Sequence, residues 1–376
     1  MKYIFISLII VLSCLPAAKV LAHVERTFYL QGKLGKRAVA IKMLCYDEMP
    51  IRHIHYFFQD DKRDRYLVGK LMAGYWHFEA EENETKVVSG QGNLRIIETE
   101  NKNWKGTWSD SSGKRYDIIL TPLLPDSTSS QNGDIPFAKE MDPYEAYRIS
   151  TIGFEKIKSE KVTKELQCDW YSEKETGTIF FRLHSAKENI NTDSINATLK
   201  SMNLALVTEK FKYKPDRIAI KNETTILYLT DELLSLQILA TTTTTSGKTV
   251  QTKQLITLDI KNGEEVNLED LIWFDNKENK PPANDLFKIY QYRKKFFAHK
   301  IFGLLNDLYP TQMKTDVCGI NQVDTWILPV WALTHTGITF SFRASEQCDI
   351  IDWAVIPYHK LEPFMEKQYH LRGLKK

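Results

Sequence analysis

From Thr27 to Leu123 the sequence is cut into strand-length runs, and this cadence limits the fold more than any other feature. Ala38 to Leu44 alternates, with Val39, Ile41 and Met43 on one face. Ile54 to Phe58 is aromatic, Tyr66 to Val68 is short, and Tyr75 to Phe78 follows Gly74. Leu94 to Ile97, Trp104 to Trp108 and Tyr116 to Leu120 complete the series. Runs of this length, bounded by Gly, Asn and Asp, build antiparallel sandwiches or barrels. An all-β domain is therefore expected over residues 23–123.

Pro125 to Asp134 contains no apolar side chain, so it cannot bury itself and reads as a linker, taken as 124–140. Beyond it, residues 141–376 alternate strands with two helices. The first follows a cap at Asn191 to Asp193 and aligns Ile195, Leu199, Met202 and Leu206 on one face. The second runs from about Asn284 to Tyr309. Leu286, Tyr290, Phe297, Ile301, Leu305 and Leu308 are expected to form its buried stripe, with Arg293, Lys294 and Lys295 mid-helix. Between the two helices, Leu233 to Thr245 and Thr249 to Ile260 flank Ser246-Gly247-Lys248 as a long hairpin, and Val330 to Phe342 and Trp353 to Ile356 close the chain as strands. Helices gathered against antiparallel sheet make the second domain, and the chain as a whole, α+β.

The first 22 residues have the form of a secretory signal: Lys2, an uncharged run from Tyr3 to Ser13, Pro16, then Val20-Leu21-Ala22 ahead of His23. A rival reading takes Val11-Leu12-Ser13-Cys14 as a lipoprotein signal with the anchor on Cys14. Either way a periplasmic or secreted chain is expected, with no membrane span after the signal. Its loss removes two bases, Lys2 and Lys19, and leaves 48 basic against 48 acidic residues. That balance argues against a nucleic-acid partner, which demands a basic footprint. Four cysteines remain. Cys318 and Cys348 flank one meander and are expected to pair, which would contribute roughly 3–4 kcal/mol by loop closure. Cys45 and Cys168 lie in different domains and either staple them or stay as thiols.

The sequence carries no recognisable catalytic or metal motif. His53 and His55 share a strand face, with His77 nearby, but aromatic side chains on a wet sheet explain them without zinc. Ser111-Ser112-Gly113-Lys114 sits in a turn, where a Ser-x-x-Lys dyad cannot form. Gly247-Lys248-Thr249 lacks the upstream glycine of a phosphate loop, having Thr242 there. No cofactor, metal or enzyme activity is expected. The eight tryptophans, Trp104, Trp108, Trp326, Trp331 and Trp353 among them, suit either cores or a glycan surface.

Four stretches of the second domain carry a resemblance: Ile195-Asn196; Leu233-Leu234-Ser235-Leu236; Leu258-Asp259-Ile260-Lys261-Asn262-Gly263 with Val266 to Leu271; and Leu333 to Phe340 with Ile356-Pro357-Tyr358. As an ordered set over about 165–366 they resemble the extracytoplasmic domain of lysozyme-sensing anti-sigma factors, also appended to some peptidoglycan deacetylases. The factors' anchor and the deacetylase domain have no counterpart here, so the resemblance implies a binding module alone. It implies a protein partner, a lysozyme-like or other envelope-acting hydrolase or toxin, which the chain would neutralise as an inhibitor or immunity protein. A glycan-binding envelope protein is the alternative. The family has a Tyr and a Pro-Tyr where this chain has Ser345-Glu346-Gln347-Cys348, so the docking loop differs. Arg343, Glu346 and Gln347 of that loop are the expected binding residues.

Overall fold

A computed structural model of the chain describes residues 24–46, 51–80, 88–89, 92–124, 142–185, 190–213, 218–275, 280–315, 319–342 and 352–366. The chain divides into two compact units, Met1–Gly153 with Leu204–Ile218, and Phe154–Asn203 with Ala219–Lys376.

The first unit is a closed β-barrel. Its strands are β1 (Val24–Leu34), β2 (Arg37–Tyr46), β3 (Ile51–Phe58), β4 (Asp61–Met72), β5 (Tyr75–Glu79), β6 (Val88–Ser89), β7 (Asn93–Glu98), β8 (Trp104–Ser109) and β9 (Arg115–Pro122). Leaving aside β6, a two-residue strand parallel to β4, each strand pairs antiparallel with the next. The ring closes where β9 meets β1 at Leu30↔Pro122, Gln31↔Thr121 and Gly32↔Leu120. A Cβ on Gly32 would meet the Ile119 carbonyl at 2.6 Å, so glycine is what lets the last strand approach the first. Alternation then fills the barrel: Leu30, Ile41, Met43, Ile54, Tyr56, Leu67, Phe78, Leu94, Trp104, Trp108 and Leu120 all point inward and pack together.

The helix α1 (Pro143–Ser150) belongs to this unit and not to the second. Asp142 caps it, accepting from Glu145 N at 2.9 Å, and Pro143 opens it. It covers an outer patch of the barrel wall where Ala40, Phe57 and Leu123 pack with Tyr144.

The second unit is α+β. Three three-stranded sheets run in sequence order: β10 (Phe154–Lys161), β11 (Leu166–Glu173) and β12 (Ile179–Ser185); β13 (Ile218–Leu229), β14 (Leu233–Thr244) and β15 (Thr249–Asp259); β16 (Val330–Leu333), β17 (Gly337–Ser341) and β18 (Val355–Pro357). The helices are α2 (Asp193–Phe211), whose residues from Leu204 onward fall in the first unit, and, in the second, α3 (Leu268–Leu271), α4 (Leu286–Tyr292), α5 (Ala298–Leu308) and α6 (Tyr358–Leu361). On α2, Ile195, Leu199 and Met202 are buried as the periodicity predicts. Leu206 is only half-buried, whereas Leu204 and Val207 are buried. The hairpin β14–β15 turns at Gly247, whose φ of 79° suits the one residue type without a Cβ. A single core joins α5 to the last sheet through Phe297, Ile301, Leu305, Ile338, Phe340 and Ile356.

Candidate functional site

The stretches that carry the family resemblance build the frame of the second unit. Asn196 accepts from Leu183 N and donates to Leu183 O, both at 2.8 Å, so its amide pairs with β12 as a strand residue would. Ser235, fully buried, bonds Thr257 across the hairpin at 2.7 Å and accepts from Leu333 N at 3.1 Å, tying β14 to β16. Gly263 has φ 72°, and a Cβ there would meet Ser194 O at 2.6 Å.

Several sequence-predicted positions lie outside the described residues: Arg343, Glu346 and Gln347, the pair Cys318 and Cys348, and the signal with Cys14. Cys45 and Cys168 are both buried, and there is no disulfide among the described residues. Burial on β11, with Glu160 and Asp169 nearby, pushes the Cys168 thiol up to about 12, which leaves it protonated and unreactive. His53 and His55 both pack against the Tyr66 ring, and His77 has other partners. His53 bonds the Tyr66 hydroxyl, and His77 bonds Glu79 at 2.5 Å and accepts from Arg95 Nε at 3.2 Å. Among the described residues, no group of three His, Cys, Asp or Glu side chains is placed to hold a metal ion. Trp104 and Trp326 are wholly inside cores, and Trp331 and Trp353 pack half-buried against one. An open tryptophan platform for sugars is therefore not formed by these four.

Among the described residues, the most exposed apolar cluster is on α4. Leu286 is 75% exposed, Phe287 72% and Tyr290 39%. This corrects the expected buried stripe, and the cause is a π turn at Arg293–Phe297 between α4 and α5. Counting back from Ile301 in steps of three or four, an unbroken α-helix places Phe297, then Tyr290 and Leu286, toward the core. A π turn holds one extra residue, so upstream of it the buried line shifts and passes through Tyr292, five residues before Phe297. Tyr292 is fixed there. Trp273 stacks on it with centroids 3.8 Å apart, and Phe274 N donates to its hydroxyl at 3.0 Å. Burial also raises the Tyr292 phenol above its usual range. Next to it Arg293 makes a bidentate pair with Glu269 of α3, Nε at 2.6 Å and Nη2 at 2.9 Å. Tyr292 and Arg293 thus lock the rotation that leaves Leu286, Phe287 and Tyr290 outside.

The same helix is strongly basic. Lys288, Lys294, Lys295, His299 and Lys300 are exposed, and no acidic residue occurs from Leu286 to Asn306. The result is a three-residue apolar ridge that lysines follow, with Lys288 paired to the cap residue Asp285 at 3.2 Å. Sequence reasoning missed Phe287 because it assumes an unbroken period. The signal for it was the five-residue spacing from Tyr292 to Phe297.

No family model matches the sequence, and no curated protein matches it. Solved structures similar to it include two DUF3298 family proteins. One is a member of the DUF3298 family from Bacteroides fragilis NCTC 9343, 15% identical, covering 57% of this chain and 94% of that one with a TM-score of 0.32. The other is a DUF3298 family protein from Pseudomonas aeruginosa PAO1, also 15% identical, covering 57% and 95% with a TM-score of 0.30. Neither is described as an anti-sigma factor or a deacetylase. At this level the likeness bears on neither partner nor activity.

Proposed function

We propose that this is an exported protein-binding module that docks α4 into the cleft of an envelope-acting glycoside hydrolase, lysozyme-like or a toxin of that type, and blocks it. The observation that carries the reading is the exposed Leu286, Phe287 and Tyr290 ridge, followed in the chain by the exposed Lys294, Lys295 and Lys300. Exposed aromatic and aliphatic anchors clustered on a rigid element are what protein interfaces concentrate their energy in. A glycosidase cleft is lined by at least two carboxylates, and a helix without acids complements it in charge. The resemblance of residues 165–366 to a lysozyme-binding domain supports the same partner class. An inhibitor needs no catalytic groups of its own.

The test is inhibition of a purified lysozyme-type muramidase by the mature chain, read as the rate of peptidoglycan clearing. Replacing Leu286 and Phe287 together with Ala should weaken inhibition by at least ~1.4 kcal/mol, or tenfold, with an unchanged melting temperature because both side chains are solvent-facing. A parallel variant with Arg343, Glu346 and Gln347 replaced by Ala asks whether the loop also docks. Absence of inhibition, or inhibition that survives the α4 change, would overturn the α4 assignment. Binding of the wild-type chain to anionic vesicles in place of enzyme would make α4 a membrane-surface helix instead.

A further inference from the structure

The geometry points to a second site, at one end of the barrel, where Arg26, Arg52 and the indole N–H of Trp104 are placed to hold a small carboxylate or phosphate group. Arg26, Cys45 and Arg52 are register partners on β1, β2 and β3, side by side on the inward face. Deeper on that face the row continues as Phe28, Met43 and Ile54, so the arginines cap a filled interior and the ligand stops at the mouth. Arg52 pairs across β4 with Gly69, where no side chain blocks it, and reaches Trp76 on β5. Its guanidinium carbon lies 3.8 Å from the Trp76 ring centre, 5.6 Å from Trp104 and 5.9 Å from Phe28. Arg26 stacks on Phe28 at 4.4 Å.

Stacking satisfies the flat face of Arg52 and leaves one of its N–H donors unmet. Arg52 Nη1 is buried with no hydrogen-bond partner, and so is Nε1 of Trp104, a residue only 1% exposed. Neither arginine forms an ion pair with a described carboxylate. Burial holds the Arg52 guanidinium below its usual range, Cys45 and Glu98 oppose this, and the neighbouring Arg26 adds to it. A buried guanidinium donor of Arg52 and an orphaned indole donor are costly unless an acceptor completes them. A carboxylate or phosphate accepts from Arg52 Nη1 and Trp104 Nε1 together, and Arg26 neutralises it from the rim. Phe28, Trp76 and Trp104 supply aromatic walls for whatever carries the anionic head. This site is independent of α4 and of the muramidase reading.

Tryptophan fluorescence of the mature chain, titrated separately with acetate and with inorganic phosphate against chloride at constant ionic strength, reads the site directly. A saturable change with one of them is expected, and which one saturates identifies the anion class. Arg52→Gln should weaken it by about tenfold or more, and Trp104→Phe, which keeps an aromatic side chain and removes the donor, should weaken it as well. If Arg52→Gln does not melt cooperatively, Arg26→Gln at the exposed rim decides: weaker binding supports the site, and wild-type affinity overturns it. A change that does not saturate with either anion, or equal affinity in wild type and a folded Arg52→Gln, also overturns it.

Discussion

A helix laid over a barrel wall buries whatever the wall presents, and under α1 the wall presents charge. Arg148 is fully buried and pairs with Asp64 of β4, which also accepts from the Tyr144 hydroxyl at 2.6 Å. The Arg148 guanidinium rides over the Phe57 and Tyr144 rings, and its Nε and Nη1 have no partner. Removing one member of such a pair strands the other, which is the costly direction. His55 lies on the same outer face of β3. Burial lowers its proton affinity, Lys42, His53 and Arg148 add to this, and Asp64 alone opposes it. The unfolded chain binds a proton near pH 6.5 that the folded chain resists, so stability is retained above about 6.5 and falls as pH drops toward the folded value. Within that window each pH unit costs up to ~1.4 kcal/mol. His55→Gln should flatten this part of the pH–Tm curve, measured by thermal melts between about pH 8 and 5. An identical slope in the variant would show that His55 is not the group responsible.

At the scale of elements, local signals are legible in the sequence and phase is not. The β14–β15 hairpin was legible because Ser246-Gly247 separates two long β-branched runs, and the turn needs a positive φ. The barrel strands were legible from alternation, but their closure was not. Gly32 looks like any strand glycine until β9 returns to it from almost ninety positions away. The α4–α5 stripe failed for a different reason. Periodicity assumes 3.6 residues per turn, and one π turn between Arg293 and Phe297 invalidates every assignment upstream of it. The candidate ridge was invisible for that reason alone. If the turn is a one-residue insertion in an α-helix, deleting exposed Lys294 leaves Tyr292 and Phe297 one ordinary turn apart and keeps the core phase. That deletion should shift the melting temperature by no more than about 4 °C, whereas deleting Lys300 rotates α4 against Ile301 and Leu305 and should cost far more. Circular dichroism melts of the two variants check this, and equal losses would remove the insertion account.

At the scale of the whole chain, the question is where the first folding unit ends. Sequence composition places the boundary at the polar run after Leu123, because nothing there can be buried. The run itself lies outside the described residues, whereas α1, on its far side, lies within them. Pro143–Ser150 returns to the barrel and closes over Ala40, Phe57 and Leu123. Lys42 of β2 meets the cap residue Asp142 at 2.5 Å, and Asp64 is left without Arg148 and Tyr144 if the helix is missing. A fragment ending at residue 124 therefore exposes an apolar patch and strands a buried carboxylate, while one ending at Gly153 does neither. Both lack Leu204–Ile218, so the difference between them isolates α1. Burying one aromatic side chain contributes about 1.5–3 kcal/mol, and the paired charge adds to that. At roughly 4 °C per kcal/mol for a unit of this size, residues 23–153 should melt at least about 8 °C above residues 23–124 in a scanning calorimeter. Equal midpoints would mean that α1 rests on the wall without stabilising it, and that the boundary read from composition is the physical one.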